Sequence, residues 1–258
     1  MAASATYVYC VVHRGGPVGV RRMPPGVPGS SRPALLDISD GLSIAVSTVP
    51  LDVYGPEQIE RRLHDLEWVA NIALGHEAVV EHIGKIGGAT VVPMKLFTMF
   101  SEPERAVEEM RSRRRQLSAV IKRIKDCQEW GVRVTRSAGT PQQQTRTRPI
   151  RTGVDFLAAK KRARDDERDL SARLHAEAEG VLLQLGRVSK QAKRRLPPDA
   201  AAPPPLLEAA FLVPRSGSAR FKAAARQAAR RCRTAGGDLA LSGPWPAYNF
   251  IDGGERRT

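Results

Sequence analysis

The chain has 258 residues, with 41 Lys and Arg against 27 Asp and Glu, a formal net charge of +14. Hydrophobic residues make up 41% and aromatic residues 5%, which excludes a wholly disordered chain and implies a core built mainly from Ala, Val, Leu and Ile. No apolar run approaches the roughly 20 residues that span a bilayer, and MAASATYVYCVVHR is not a secretory signal, so a soluble, cytoplasmic chain is expected.

Thr6 to His13 is rich in β-branched and aromatic residues and predicts a strand buried on both faces. The Gly, Pro and Ser of RGGPVGVRRMPPGVPGSSRP impose a long irregular loop. Leu35 to Ile38 and Leu42 to Thr48 then predict a hairpin, with Asp40-Gly41 at a turn that needs positive φ. After Tyr54-Gly55-Pro56, a helix is expected to bury the stripe Ile59, Leu63, Leu66, Ala70, Ala73 and Val80, and Gly87-Gly88 ends it. Thr90 to Phe100 predicts a strand with an edge or bulge at Pro93.

Ser101 and Glu104 suit a capping box around Pro103, opening a helix through Val107, Met110, Leu117, Ile121 and Ile124. Glu129 to Thr135 is expected to close this half as a strand. The order strand, hairpin, helix, strand, helix, strand predicts an α+β, ferredoxin-like domain over 1–136, an antiparallel sheet with two helices on one face.

Ser137 to Gly153 has almost no apolar content and predicts a linker. The segment 154–258 is expected to form a helix-rich α+β domain. Its first helix, over Val154 to Leu196, has core candidates Phe156, Leu170, Leu174, Val181, Leu182 and Leu185, with breaks at Gly180 and Gly186. PPDAAAPPP is a spacer. A strand over Leu206 to Val213, a helix over Ser218 to Arg233 and a short strand over Leu239 to Leu241 follow.

Chemical motifs are scarce. In HDLEWVANIALGHEAVVEH, Val80 stands where a zinc-protease helix needs its second His, and His82, six residues after His76, points about 240° away. These residues are expected on the polar faces of an amphipathic helix, not at a metal. The stretch Gly41-Leu42-Ser43-Ile44-Ala45 lacks the helix that must follow a serine nucleophile elbow. No phosphate-binding glycine loop occurs. Cys10, Cys127 and Cys232 match no disulfide or metal spacing and are expected to be reduced. No catalytic residue, metal or cofactor is therefore assigned.

Two stretches suit partner binding instead. Arg215 to Arg233 holds seven basic residues and no acidic one. On its helix, Phe221, Ala225, Ala228 and Cys232 can form a buried stripe while Arg220, Arg226, Arg230 and Arg233 face out. That face, with Arg111 and Arg113 to Arg115, fits a solvated surface, an acidic protein, or a nucleic-acid-binding module, the last without a recognised fold or stacking motif. The tail Pro244-Trp245-Pro246-Ala247-Tyr248-Asn249-Phe250 is stiff and aromatic. Trp245, Tyr248 and Phe250 are expected to pack back onto the C-terminal domain, the alternative being a partner anchor.

Taken together, TYVYCVV with SIAVSTVPLDVYG, LHDLEWVANIALGHEAVVEHI with VVPMKLFTMFSEPERAV, and AAFLVPRSGSARF with LSGPWPAYNF resemble the gas vesicle protein F/L family over nearly the whole chain. The resemblance implies an N-terminal ferredoxin-like domain and a C-terminal helical or α+β domain. It further implies a non-enzymatic accessory or minor structural protein of gas vesicle formation. Its implied partners are the main gas vesicle shell protein and other gas vesicle accessory proteins.

Overall fold

The computed structural model describes residues 3–14, 23–39, 41–137, 153–196 and 204–251, with side chains from 156 onward in the fourth stretch. The expected linker, 137–153, and the spacer at 197–205 lie almost wholly outside them. The chain forms two compact units, Met1–Gln128 with Trp245–Thr258, and Glu129–Pro244. This division departs from the expected 1–136 and 154–258 at two places: the strand after Gln128 joins the second unit, and the aromatic tail joins the first.

In the first unit, strand β1 (Ser4–His13) lies between β3 (Leu42–Pro50) and β4 (Thr90–Pro93), and β2 (Ala34–Ser39) flanks β3. All of these pairings are antiparallel. Gly41 closes the β2–β3 hairpin with φ of 74°, and an added Cβ would sit 2.4 Å from the Arg14 carbonyl oxygen, so glycine is required twice over. The expected strand over Thr90 to Phe100 is split. Pro93 ends β4, Phe97 adopts a φ of 62°, and β5 (Met99–Phe100) returns to pair with Thr6 and Tyr7.

The β1–β3 register shifts between Val8 and Cys10, so Tyr7, Tyr9, Cys10 and Val12 all enter one core while Val8 and Val11 point the other way. Both sets are buried, as a strand apolar at every position requires. Two short helices, α1 (Leu51–Tyr54) and α2 (Pro56–Arg62), lead into α3 (Leu66–Gly84), which covers the Tyr7 side. Next come α4 (Pro103–Ser112) and α5 (Arg114–Ile124), near β2 and β4, with Ala106, Met110, Leu117, Val120, Ile121 and Ile124 buried. None of these six joins the Tyr7 core, which places α4 and α5 on the sheet's other face. The expectation of two helices on one face is corrected accordingly. Pro103 opens α4 as expected, but Glu102 is the N-cap without a side-chain bond, so the capping box does not form.

The second unit has a sheet in the order β7 (Gln191–Arg194), β8 (Leu207–Pro214), β6 (Cys127–Arg136), β9 (Gly237–Trp245). Trp130, Val132, Val134, Phe211 and Val213 face α6 (Gly153–Gly186) and α7 (Ser218–Thr234) across an apolar core. α6 runs through Gly180 and stops at Gly186, so β7 replaces the expected last turns of helix. Phe156, an expected core residue, is exposed, whereas Leu174, Val181 and Leu185 are buried.

Candidate functional site

Helix α3 starts where Asp65 accepts a hydrogen bond from the Trp68 amide at 3.0 Å, which fixes a new helical phase. Its buried stripe is Ile72, His76, Val79, Val80 and Ile83. Gly75 lets the loop after β1 pass close by, since a Cβ there would stand 2.7 Å from the Gly26 carbonyl oxygen. The expected stripe is thus overturned for Leu63, Leu66 and Ala70, all of them exposed. Leu66 is 82% exposed, Leu74 69% and Leu63 49%. With Ala70 and Ala78 between and beyond them, four-residue steps carry this second apolar stripe along the outer side of α3, drifting about 40° per step. Between Leu66 and Gly84 no Lys or Arg interrupts it, and Glu67 and Glu81 border it.

The polar residues of α3 also depart from expectation. His76 lies in the core, with Nδ1 2.9 Å from the Tyr7 hydroxyl and its ring centre 5.7 Å from that of Tyr7 and 5.6 Å from that of Tyr9. Burial lowers its pKa to about 4, with a hydrogen bond to the Met94 backbone opposing. The hydroxyls around it are committed elsewhere: Tyr9 accepts from the Val27 amide and donates to Ser47, and Tyr54 donates to the Pro28 carbonyl at 2.7 Å. Burial raises the Tyr54 pKa to about 12. This network staples the 23–33 loop to the sheet. The sequence signal for it was available in the tyrosines of TYVY, which a strand alternating about a bulge aims inward.

The tail divides its three aromatic residues. Tyr248 packs against the first core and its hydroxyl donates to Glu77 Oε2; Phe250 is buried, while Trp245 is 45% exposed. Burial raises the pKa of Glu77, with the Tyr248 bond opposing. The tail therefore packs against its own chain, but on the first unit and not the C-terminal one.

On α7, Phe221, Ala225, Ala228 and Cys232 are buried and Arg220, Arg226, Arg230 and Arg233 exposed. The other basic cluster is engaged locally: Arg111 donates to the Ile38 carbonyl at 3.2 Å and Arg113 pairs with Glu109. Ser43 sits in β3 and donates to Asp37, as a strand residue would. All three cysteines are free thiols. Among the described residues no group of His, Cys, Asp and Glu is arranged for a metal, and no helix is long and apolar enough to cross a membrane.

The family model described as "Gas vesicle synthesis protein GvpL/GvpF" matches residues 5–252. This chain belongs to that family. A curated relative, gas vesicle protein L of Streptomyces sp. (strain CB03234), is 26% identical over 233 residues, covering 86% of this chain and 84% of that one. Among solved structures, gas vesicle protein GvpF from Anabaena sp. PCC7120 superposes with a TM-score of 0.68 at 15% identity, over 99% of both chains. GvpF from Microcystis aeruginosa gives 0.63 at 15% identity, over 96% of this chain and 99% of that one. The GvpL/GvpF fold therefore holds along essentially the full chain, both units and the tail included.

Proposed function

We propose that this gas vesicle family protein binds the main gas vesicle shell protein, without catalysis, during nucleation or formation of the shell. The observation that carries the reading is the second apolar stripe of α3. A helix with one face in the core has no folding reason to expose Leu66 and Leu74 on the other, and a contiguous exposed apolar row is a place for another apolar surface. The subunits of a wall that excludes water expose such surfaces before they assemble. Covering them on α3 suppresses aggregation and presents them to a growing edge. Trp245, the exposed aromatic of the tail, is a second candidate contact.

Replacing Leu66 and Leu74 together by Asn tests this with purified shell protein and the full-length chain. Both side chains already lie in solvent, so the melting temperature should hold while shell-protein binding falls by about tenfold or more. Undiminished binding by the double variant would remove α3 from the interface.

A further inference from the structure

The cations of the second unit fall into two groups. Four arginines on or beside its sheet are matched to carboxylates: Arg133 and Arg195 share Glu208 at 3.1 and 3.5 Å, Arg136 meets Glu167 at 2.6 Å, and Arg194 pairs with Glu179. On α6, Lys160, Lys161, Arg162, Arg164 and Arg168 share one stretch with Asp165, Asp166, Glu167 and Asp169. Helix α7 has no acidic residue along its 17 positions. Of its cations, Arg231 alone has a carboxylate partner among the described residues, meeting Glu177 at 2.7 Å while also donating to Gln184 at 2.6 Å.

The remaining cations are not scattered. At about 100° per residue, Lys222, Arg226, Arg230 and Arg233 fall within about 80° of one another and form a single ridge, opposite the buried Phe221, Ala225 and Ala228. Successive members rise about 4.5–6 Å along the axis. Arg220 falls outside the ridge, on the meridian of Arg231 and of Gln227, which bonds Gln184 of α6. The exposed Ala219 and Ala223 border the ridge and leave room for a backbone to approach. At its start, the Lys222 ammonium stands 6.0 Å from the centre of the Trp130 ring.

We propose that this ridge docks an acidic α-helix of a protein partner, lying along α7 with carboxylates four residues apart. Two helices share the same rise, so carboxylates at i, i+4 and i+8 meet Lys222, Arg226 and Arg230 at the ridge's own spacing. Small residues beside a contact row let helix axes come to about 8–10 Å. The exposed residues of the ridge include no aromatic side chain on which bases could stack, which favours a protein over single-stranded nucleic acid. This contact is electrostatic and uses none of the residues of the α3 stripe, so either can fail without the other.

The full-length chain, titrated into labelled synthetic peptides and read by fluorescence anisotropy at about 0.15 M salt, decides the matter. The probes are an alanine-based helix with Glu at every fourth position, a peptide of the same composition with its Glu residues bunched at one end, and a short DNA duplex. The spaced peptide should bind best. Converting Arg226, Arg230 and Arg233 together to Glu should weaken it by about tenfold or more, whereas Arg187→Glu, on an exposed site at the end of α6, should leave it within about twofold. A spaced peptide carrying Lys in place of Glu should bind the charge-reversed chain and not the parent. Equal binding of the bunched peptide would overturn the helical match. Absence of peptide binding, or tighter binding of the duplex, would overturn the acidic-protein partner altogether.

Discussion

Helices α3 and α7 each bury one face against a sheet, yet they fill their outer faces with opposite chemistry. α7 opposes its buried Phe221, Ala225, Ala228 and Cys232 with a row of cations. α3 opposes Ile72, Val79 and Ile83 with leucines, and admits a histidine into the buried row. The same helical geometry thus yields an outer face dominated by charge on one unit and by apolar area on the other. The two should respond differently to salt: screening weakens the arginine ridge, while burial of leucines is insensitive to moderate ionic strength.

The largest effect that would test this comparison lies on the inner faces. Phe221 is fully buried against Phe211 at 5.4 Å and Trp130 at 6.1 Å between ring centres. Phe221→Ala should destabilise the second unit by about 3–5 kcal/mol, as truncation of a packed aromatic does. Leu66→Ala, on the outer face of α3, should stay within about 0.5 kcal/mol. Denaturant titration of both variants measures the difference, and a similar loss for the two would mean that α3 has no free outer face.

These helices also explain why one was readable in the sequence and the other was not. α7 separates small apolar residues from arginines so cleanly that period alone identifies its buried stripe, and every residue assigned inward is inward. α3 has apolar residues on two faces and a polar one inside. Period alone joins Leu63, Leu66 and Ala70 into one stripe with Val80, because the phase break at the Asp65 cap leaves no periodic signal. The backbone crossing at Gly75 and the Tyr7 partner of His76 are tertiary and leave none either. The α+β class, most strands and the start of α4 at Pro103 were legible for the same reason as α7: local pattern and tertiary environment agree there. The fate of the strand after Gln128 and of the tail depends on which sheet edge and which core accept them, and no local pattern encodes that.

The buried His76 yields the next effect. Its pKa in the fold is about 4, against about 6.5 for an exposed imidazole, because the core disfavours the charged ring. As pH falls from about 6.5 to 4, the unfolded chain takes up a proton that the folded chain refuses, so this group's contribution is fully present above the unfolded value and lost on acidification. The difference corresponds to about 3 kcal/mol. His76→Gln removes the titration and keeps a polar atom for Tyr7. The variant should be less stable than the parent at neutral pH, and the gap should narrow steadily towards pH 4. A constant gap would show that the ring does not titrate differently in the fold.

The smallest effect concerns the tail, where exposed and buried aromatics stand a few residues apart. Phe250 is 5% exposed and Trp245 45%. The tryptophan therefore keeps nearly half its surface in water, and Trp245→Ala should cost only about 1 kcal/mol, well below the 3–5 kcal/mol of a buried aromatic. Phe250→Ala should exceed it, because its ring is covered and its loss leaves a cavity. Thermal unfolding of the two variants ranks them. The ranking also bears on function, since an aromatic that contributes little to folding while remaining exposed is free to anchor a partner. Should Trp245→Ala lose shell-protein binding while its melting temperature moves by only a few degrees, the tail is held to the first unit by Tyr248 and Phe250 and presents Trp245 outward. A loss of stability equal to that of Phe250→Ala would instead make the whole tail a packing strap and leave the leucines of α3 as the apolar contact.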